Sequence, residues 1–222
     1  MATRNKAPGS KKGVKAPVYD PNAPEPQTRE ELLKYFIPLT LDDRTAQKYL
    51  WISEESRRVS RRTEETCPYR ELPERFEHCP QVLCREGLSG LRCYWEVEWS
   101  GWVVLGVTYE AIGRKGENGA CGLGENRHSW GLGWAGSEYQ AWHDAEHCDI
   151  SGSPGSHVLG LYLDQPAGVL SFYCLKGGDG EQEGGEAETR AVLLHKFKTP
   201  FTDPLYPIFW VGRNSHCLIR RI

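Results

Sequence analysis

The sequence predicts an all-β chain, an antiparallel sandwich or jelly roll preceded by one short helix. Three observations carry that expectation. Short apolar runs recur from Leu39 to Ile222, Gly, Pro, Asn or Asp separates most of them, and no long helical pattern lies between. Eight Trp and ten Tyr in 222 residues also have to be buried somewhere, which a disordered or fibrous chain could not do.

Residues 1–27 place Arg4, Lys6, Lys11, Lys12 and Lys15 ahead of the first acid, Asp20, among Gly, Ser and five prolines. They read as a flexible basic linker, stiffened in its second half by Pro17, Pro21, Pro24 and Pro26. Thr28-Arg29-Glu30-Glu31 then forms a capping box, Leu32, Leu33 and Phe36 share a helical face, and Pro38 ends the run. A helix of about two turns within 28–38 is too short to stand alone and must dock on the β domain C-terminal to it.

From 39 to 222 the sequence predicts one β domain. Strands are expected at Leu39–Leu41, Tyr49–Ile52, Gln81–Cys84, Cys93–Trp99, Val103–Tyr109 and Ser129–Trp134. Further strands are expected at Tyr139–Trp142, Val158–Leu163, Val169–Tyr173, Val192–Phe197, Leu205–Val211 and Cys217–Ile222. Asp164-Gln165-Pro166-Ala167-Gly168 is a turn between two of them. The stretch 176–190 holds five Gly and five acids, nothing worth burying, and reads as a mobile hairpin loop; its carboxylates lack the spacing of a calcium loop.

Composition excludes several functions. With 27 Lys and Arg against 30 Asp and Glu, the net charge of −3 lacks the basic excess that nucleic-acid binding requires. Mean hydropathy is −0.57, and apolar runs such as Trp102–Leu105 fall far short of the ~20 residues of a membrane span. The eight Cys include no Cys-x-x-Cys pair, and His78, Cys79 and Cys84 have no second ligand pair, so no zinc site is expected. Met1–Lys15 lacks the apolar run of a signal peptide, and none of the five Asn starts an Asn-x-Ser/Thr acceptor. Reduced thiols and a cytoplasmic location are the expectation.

Catalytic patterns are equally sparse. Glu96 and Glu98 share one face of a strand whose other face carries Trp95, Val97 and Trp99. Two carboxylates roughly 6.5–7 Å apart with aromatics nearby would suit a carbohydrate-binding or glycoside-hydrolysing jelly roll. Nothing marks either as the acid, and charges on a solvent face are ordinary. His78-Cys79 and His147-Cys148 are strand neighbours whose side chains point apart, Ser151–Gly155 is no nucleophile elbow, and Gly122-Leu123-Gly124 is no phosphate loop. The chain itself is therefore expected to be no enzyme, with no catalytic or metal-binding residue.

Several stretches resemble a known family. Leu39-Thr-Leu-Asp-Asp-Arg-Thr-Ala46 through Arg57-Arg-Val59 resembles the opening of a PRY segment. Glu74-Arg-Phe76, Gln81–Cys84 and Tyr94-Trp-Glu-Val-Glu98 resemble the PRY–SPRY junction. Ser129-Trp130, Leu161-Tyr-Leu-Asp164, Gly168-Val-Leu-Ser-Phe-Tyr173 and Phe201-Thr-Asp-Pro-Leu-Tyr-Pro207 resemble the SPRY core. The order is right across 39–222, with PRY at about 39–90 and SPRY at about 91–222, and Glu25–Lys34 is similar to the lead-in of tripartite-motif proteins. The C-terminal module of stonustoxin-type fish venom proteins is similar as well.

The resemblance implies a bent sandwich that binds a protein or peptide substrate for a RING-type ubiquitin ligase, with innate-immune signalling common in the group. RING, B-box and coiled coil are not seen here, so zinc is expected only in a larger parent. That parent would be a coiled-coil dimer, and this module a monomer without cofactor. The same fold could instead sense a small anionic ligand or serve a toxin. Carried over residue by residue, the family's groove implies Val104, Gly133 and Ala135 as outward floor positions, with Trp130, Leu132 and Trp134 inward. Some members carry large aromatics at the outward positions; Gly133 and Ala135 imply a shallower floor without Trp there. Arg213 and Asn214 would add polar contacts and Tyr69 and Arg70 an opposite wall, while Trp102, beside Gly101 at a turn, is either packing or an exposed anchor. Trp95, Trp130, Trp134, Phe172 and Phe209 read as core.

Overall fold

The structure is a computed structural model and describes residues 18–62, 65–116, 119–151, 155–177 and 189–222. Much of the expected basic linker, and residues 178–188 of the acidic loop, lie outside the described residues. In chain order the elements are α1 (Arg29–Leu33), β1 (Leu50–Ser53), β2 (Arg58–Arg61), β3 (Gln81–Leu83), β4 (Arg92–Ser100), β5 (Val103–Tyr109) and β6 (Ser129–Trp134). Then come β7 (Tyr139–His143), β8 (Glu146–Ile150), β9 (Val158–Asp164), β10 (Val169–Lys176), β11 (Arg190–Lys198), β12 (Leu205–Val211) and β13 (Ser215–Ile219).

Two antiparallel sheets form a sandwich: seven strands in the order β1-β2-β13-β4-β9-β10-β11, and six in the order β3-β12-β5-β6-β7-β8. Alternate residues of both enter one core. Trp95, Val97, Leu161, Leu163 and Phe172 come from the first sheet, and Leu105, Leu132, Ala141, Phe209 and Val211 from the second. Trp134 is only half-buried and packs edge-on against the Tyr139 ring, 5.1 Å away.

The strands differ from expectation at four places. Leu39–Leu41 makes only a single bridge, Leu41 to Cys84, because the chain turns at Asp42, whose carbonyl accepts from the Thr45 amide. Two strands have no apolar signal. β2 (Arg-Val-Ser-Arg) buries Val59 alone between β1 and β13, and β8 (Glu-His-Cys-Asp-Ile) is a largely exposed edge strand. The last strand also starts earlier than expected and ends at Ile219.

The outer face of the seven-stranded sheet is covered by the chain that leads in. Thr28 caps α1: its hydroxyl accepts from the Glu31 amide, while the Glu31 carboxylate accepts from the Thr28 amide. Leu32 is buried against Tyr94, Tyr162, Tyr173 and Leu175. Glu96, expected on a solvent face, is fully buried beneath this strap. Its carboxylate accepts from Arg29 Nε and Nη2 (2.7 and 3.1 Å), Arg220 Nη1 (3.0 Å) and the Tyr94 hydroxyl (2.9 Å). Upstream, Tyr19 donates to Asp164 (3.1 Å), which pairs with Arg92 (2.7 Å). Arg92 also donates to the Ala23 and Pro24 carbonyls, and Glu25 pairs with Lys196. Gly160 makes room: a Cβ there would lie 2.5 Å from the Tyr94 hydroxyl.

Candidate functional site

The opposite, outer face of the six-stranded sheet carries a groove of about 280 Å³. Strand register builds it. Trp210, Val104, Gly133 and Gln140 lie in one row across β12, β5, β6 and β7; Ile208, Gly106, Gly131 and Trp142 form the next row on the same face. Glycine occupies the middle of both rows, so the sheet dips between Trp210 and Trp142. A Cβ at Gly133 would lie 2.5 Å from the Val103 carbonyl and 2.7 Å from Val104 Cγ2, so the trough cannot be filled without moving backbone.

The rim is fixed before any partner arrives. At the β4–β5 turn Gly101 takes φ +81°, the Trp102 amide donates to Ser215 Oγ (2.8 Å), and the Trp102 carbonyl accepts from the Gly212 amide (2.8 Å). The backbone is pinned while Trp102 is 59% exposed, so its side chain is not part of the core. On the other side the loop 121–126 is held by buried amides. Gln81 Nε2 donates to the Cys121 carbonyl and Gln81 Oε1 accepts from the Leu123 amide, both at 2.7 Å. Asn126 Nδ2 donates to the Gly122 carbonyl (2.7 Å), and Ser129 Oγ accepts from the Gly124 amide (2.8 Å). These bonds set Leu123 beside the floor and Glu125 at the edge. Burial, with the neighbouring Cys121 and Glu125, pushes the lining Cys79 thiol up to about 11, so it stays a neutral thiol.

The structure brings Trp102, Val104, Gly133 and Ala135 together in this groove. Arg213 and Asn214 follow Gly212 in the adjacent β12–β13 turn, outside the lining, and Asn214 takes φ +54°. Tyr69 and Arg70 form no opposite wall. The Tyr69 hydroxyl donates to the Leu50 carbonyl (2.8 Å), its ring lies under the Arg75 guanidinium, and the Arg70 carbonyl accepts from Arg75. The expectation of a floor without Trp also needs correction. β6 offers Gly133 and Ala135 outward, yet Trp102, Trp142 and Trp210 stand around them from other strands and turns, while Trp134 between them packs inward on Tyr139. Trp142 and Trp210 were readable, because each alternates with core residues of its own strand. Leu123 and Glu125 sit in a loop with no periodicity to betray them.

Among the described residues no three His, Cys, Asp or Glu side chains converge as metal ligands. Glu96 and Glu98 do not share a cavity, one being buried under α1 and the other exposed. A larger recess of about 630 Å³ at the far end of β5 is lined by Tyr109, Arg127, His128 and Thr202, where the Tyr109 hydroxyl already accepts from the Thr202 amide (3.1 Å).

Comparison with known proteins places the fold in context. Residues 39–88 match the SPRY-associated domain, PRY, and residues 92–220 match the SPRY domain. The chain is 37% identical to mouse tripartite motif-containing protein 16 over 201 residues, covering 90% of this chain and 34% of that protein. It is 39% identical to stonustoxin subunit beta of Synanceia horrida over 197 residues, 87% of this chain and 26% of the toxin subunit. Among solved structures, the TRIM65 PSpry domain superposes with a TM-score of 0.74 at 28% identity, covering 90% of this chain and all of that one. The stonustoxin structure superposes with a TM-score of 0.76 at 38% identity, over 87% of this chain and 28% of that one. The chain thus spans about a third or less of the length of these two relatives.

Proposed function

The chain belongs to the PRY–SPRY family of recognition modules related to tripartite-motif C-terminal domains, and from that premise we propose that its groove holds a segment of a partner protein. In a larger cytoplasmic parent with a RING and a dimeric coiled coil, that contact would deliver the partner for ubiquitination, in innate-immune signalling. The observation that carries the reading is the combination of pinned backbone and exposed indole. Trp102 stands at the rim of a trough whose loops are already bonded, so little ordering cost is added on association. A small anionic ligand is disfavoured because no Lys, Arg or His lines the groove among the described residues. The toxin subunits share the module, but nothing in the groove favours that setting.

The test is site-specific photo-cross-linking in cells. A photoreactive residue at Ala135, in the groove, is compared with one at Glu98, on the outer face of the other sheet. Proteins captured from Ala135 alone, lost with Trp102→Ala and ubiquitinated when a RING-bearing parent is present, are the expected result. Equal capture from both positions would refute the groove.

A further inference from the structure

Resting on the groove as the partner site, we propose that its occupant presents a cationic side chain, Arg or Lys, held against the indoles and facing Glu125. Trp102, Trp142 and Trp210 line the trough from outward positions, Trp142 with one face covered by His147, and an indole face is the strongest aromatic partner for a cation. Among the described residues the one charged side chain in the lining is Glu125, which is exposed and open to a partner. Gln140, on the floor row, donates to Asp149 (2.9 Å), placing a second carboxylate at the adjacent register position. The whole β6–β8 half of the sheet, Ser129–Ile150, contains no Lys or Arg and four acids: Glu138, Asp144, Glu146 and Asp149.

The nearby basic groups lie off the trough or are engaged. Arg127 lines the far recess, Arg213 lies beyond Gly212 on the Trp102 side, outside the lining, and His147 stacks on Trp142 (4.4 Å) with its Nε2 3.6 Å from Asp149. Glu125 and Asp149 therefore place carboxylates on the side of the trough away from Trp102, which orients a bound segment as well as selecting its charge. A purely apolar segment would leave this acidic half unmatched, and an acidic one would be repelled by it. The groove's volume lies at the low end of ligand pockets, which suits one or two side chains rather than a folded lobe.

Random twelve-residue peptides displayed on phage would be panned on the full 222-residue chain, with Trp142→Ala/Trp210→Ala as counter-selection. Selected peptides should carry Arg or Lys next to an apolar residue. Citrulline in place of the Arg, which keeps the shape and removes the charge, should weaken binding by about fivefold or more. Glu125→Gln should weaken it about two- to fivefold, and the exposed Glu125→Lys, which leaves the packing untouched, should abolish it. Groove-dependent peptides without a basic residue, or insensitive to citrulline and Glu125→Lys, would overturn the cation and leave the groove standing. Peptides indifferent to Trp142 and Trp210, or none at all against a folded Glu125→Gln control, would overturn both.

Discussion

Removing the Glu96 carboxylate tests how the strap is held. In Glu96→Ala the Tyr94 hydroxyl, fully buried, loses its acceptor, and an orphaned buried polar group costs about 1–3 kcal/mol. Arg29 and Arg220 keep 23% and 38% of their side chains exposed, so both can turn back to water. Their loss stays well below the cost of a fully enclosed broken ion pair, about 3–5 kcal/mol. Together these give about 2–4 kcal/mol. For a domain of this size that lowers Tm by about 5–15 °C. Urea and thermal unfolding of the purified chain would read it, with an unchanged m-value showing that the unfolded state is the same. Tyr94→Phe/Glu96→Leu, which removes donor and acceptor together, should recover part of the loss. A Glu96→Ala protein within about 0.5 kcal/mol of the parent would show that the buried carboxylate holds nothing, and its role in fastening the strap would be refuted.

Other consequences rest on the same logic. Trp102→Ala should change stability by less than about 0.5 kcal/mol because its indole is mostly exposed, whereas Trp95→Ala, 1% exposed, should cost about 3–5 kcal/mol in the same unfolding assay. Iodoacetamide should label Cys148 first by peptide mass spectrometry, since it is exposed with its sulfur 3.7 Å from His195 Nδ1. Cys84, Cys93 and Cys217 are buried, with burial pushing their thiols up, and should react last. Burial holds the His195 and His216 imidazoles below their usual range, so the unfolded chain binds protons that the folded one refuses. Stability should then be full above the unfolded His pKa of about 6.5 and decline as pH falls from there toward the folded values. His195→Gln should flatten that slope in pH-dependent urea unfolding, and an unchanged slope would show that His195 does not contribute to it.

Much of the architecture is readable because alternation reports which way a side chain points. Leu105 and Val107 are inward and Val104 outward on that basis alone, and Gly133 and Ala135 come out by the same count on β6. Alternation does not report what lies above a face. Glu96 shares a strand face with the exposed Glu98 but is covered, because α1 and Arg220 arrive from opposite ends of the chain. Edge and hairpin strands escape for a different reason: β2 and β8 are tied by backbone bonds to neighbours and bury too little apolar surface to leave a pattern. The bonds of Gln81 to loop 121–126 join residues some forty positions apart, and no local rule connects them.

The strap also works as a mount. Tyr19 to Ile37 is fastened across β4, β9 and β11 at successive points, and all of them lie on the side of the sandwich away from the groove. A pull transmitted through the residues before Val18 would be spread over those anchors in series before it reached the sheet. The module is therefore carried from behind, like a tool on a fixed handle, with its grip facing outward. Whatever is held there would keep a constant bearing relative to the strap from Tyr19 to Ile37.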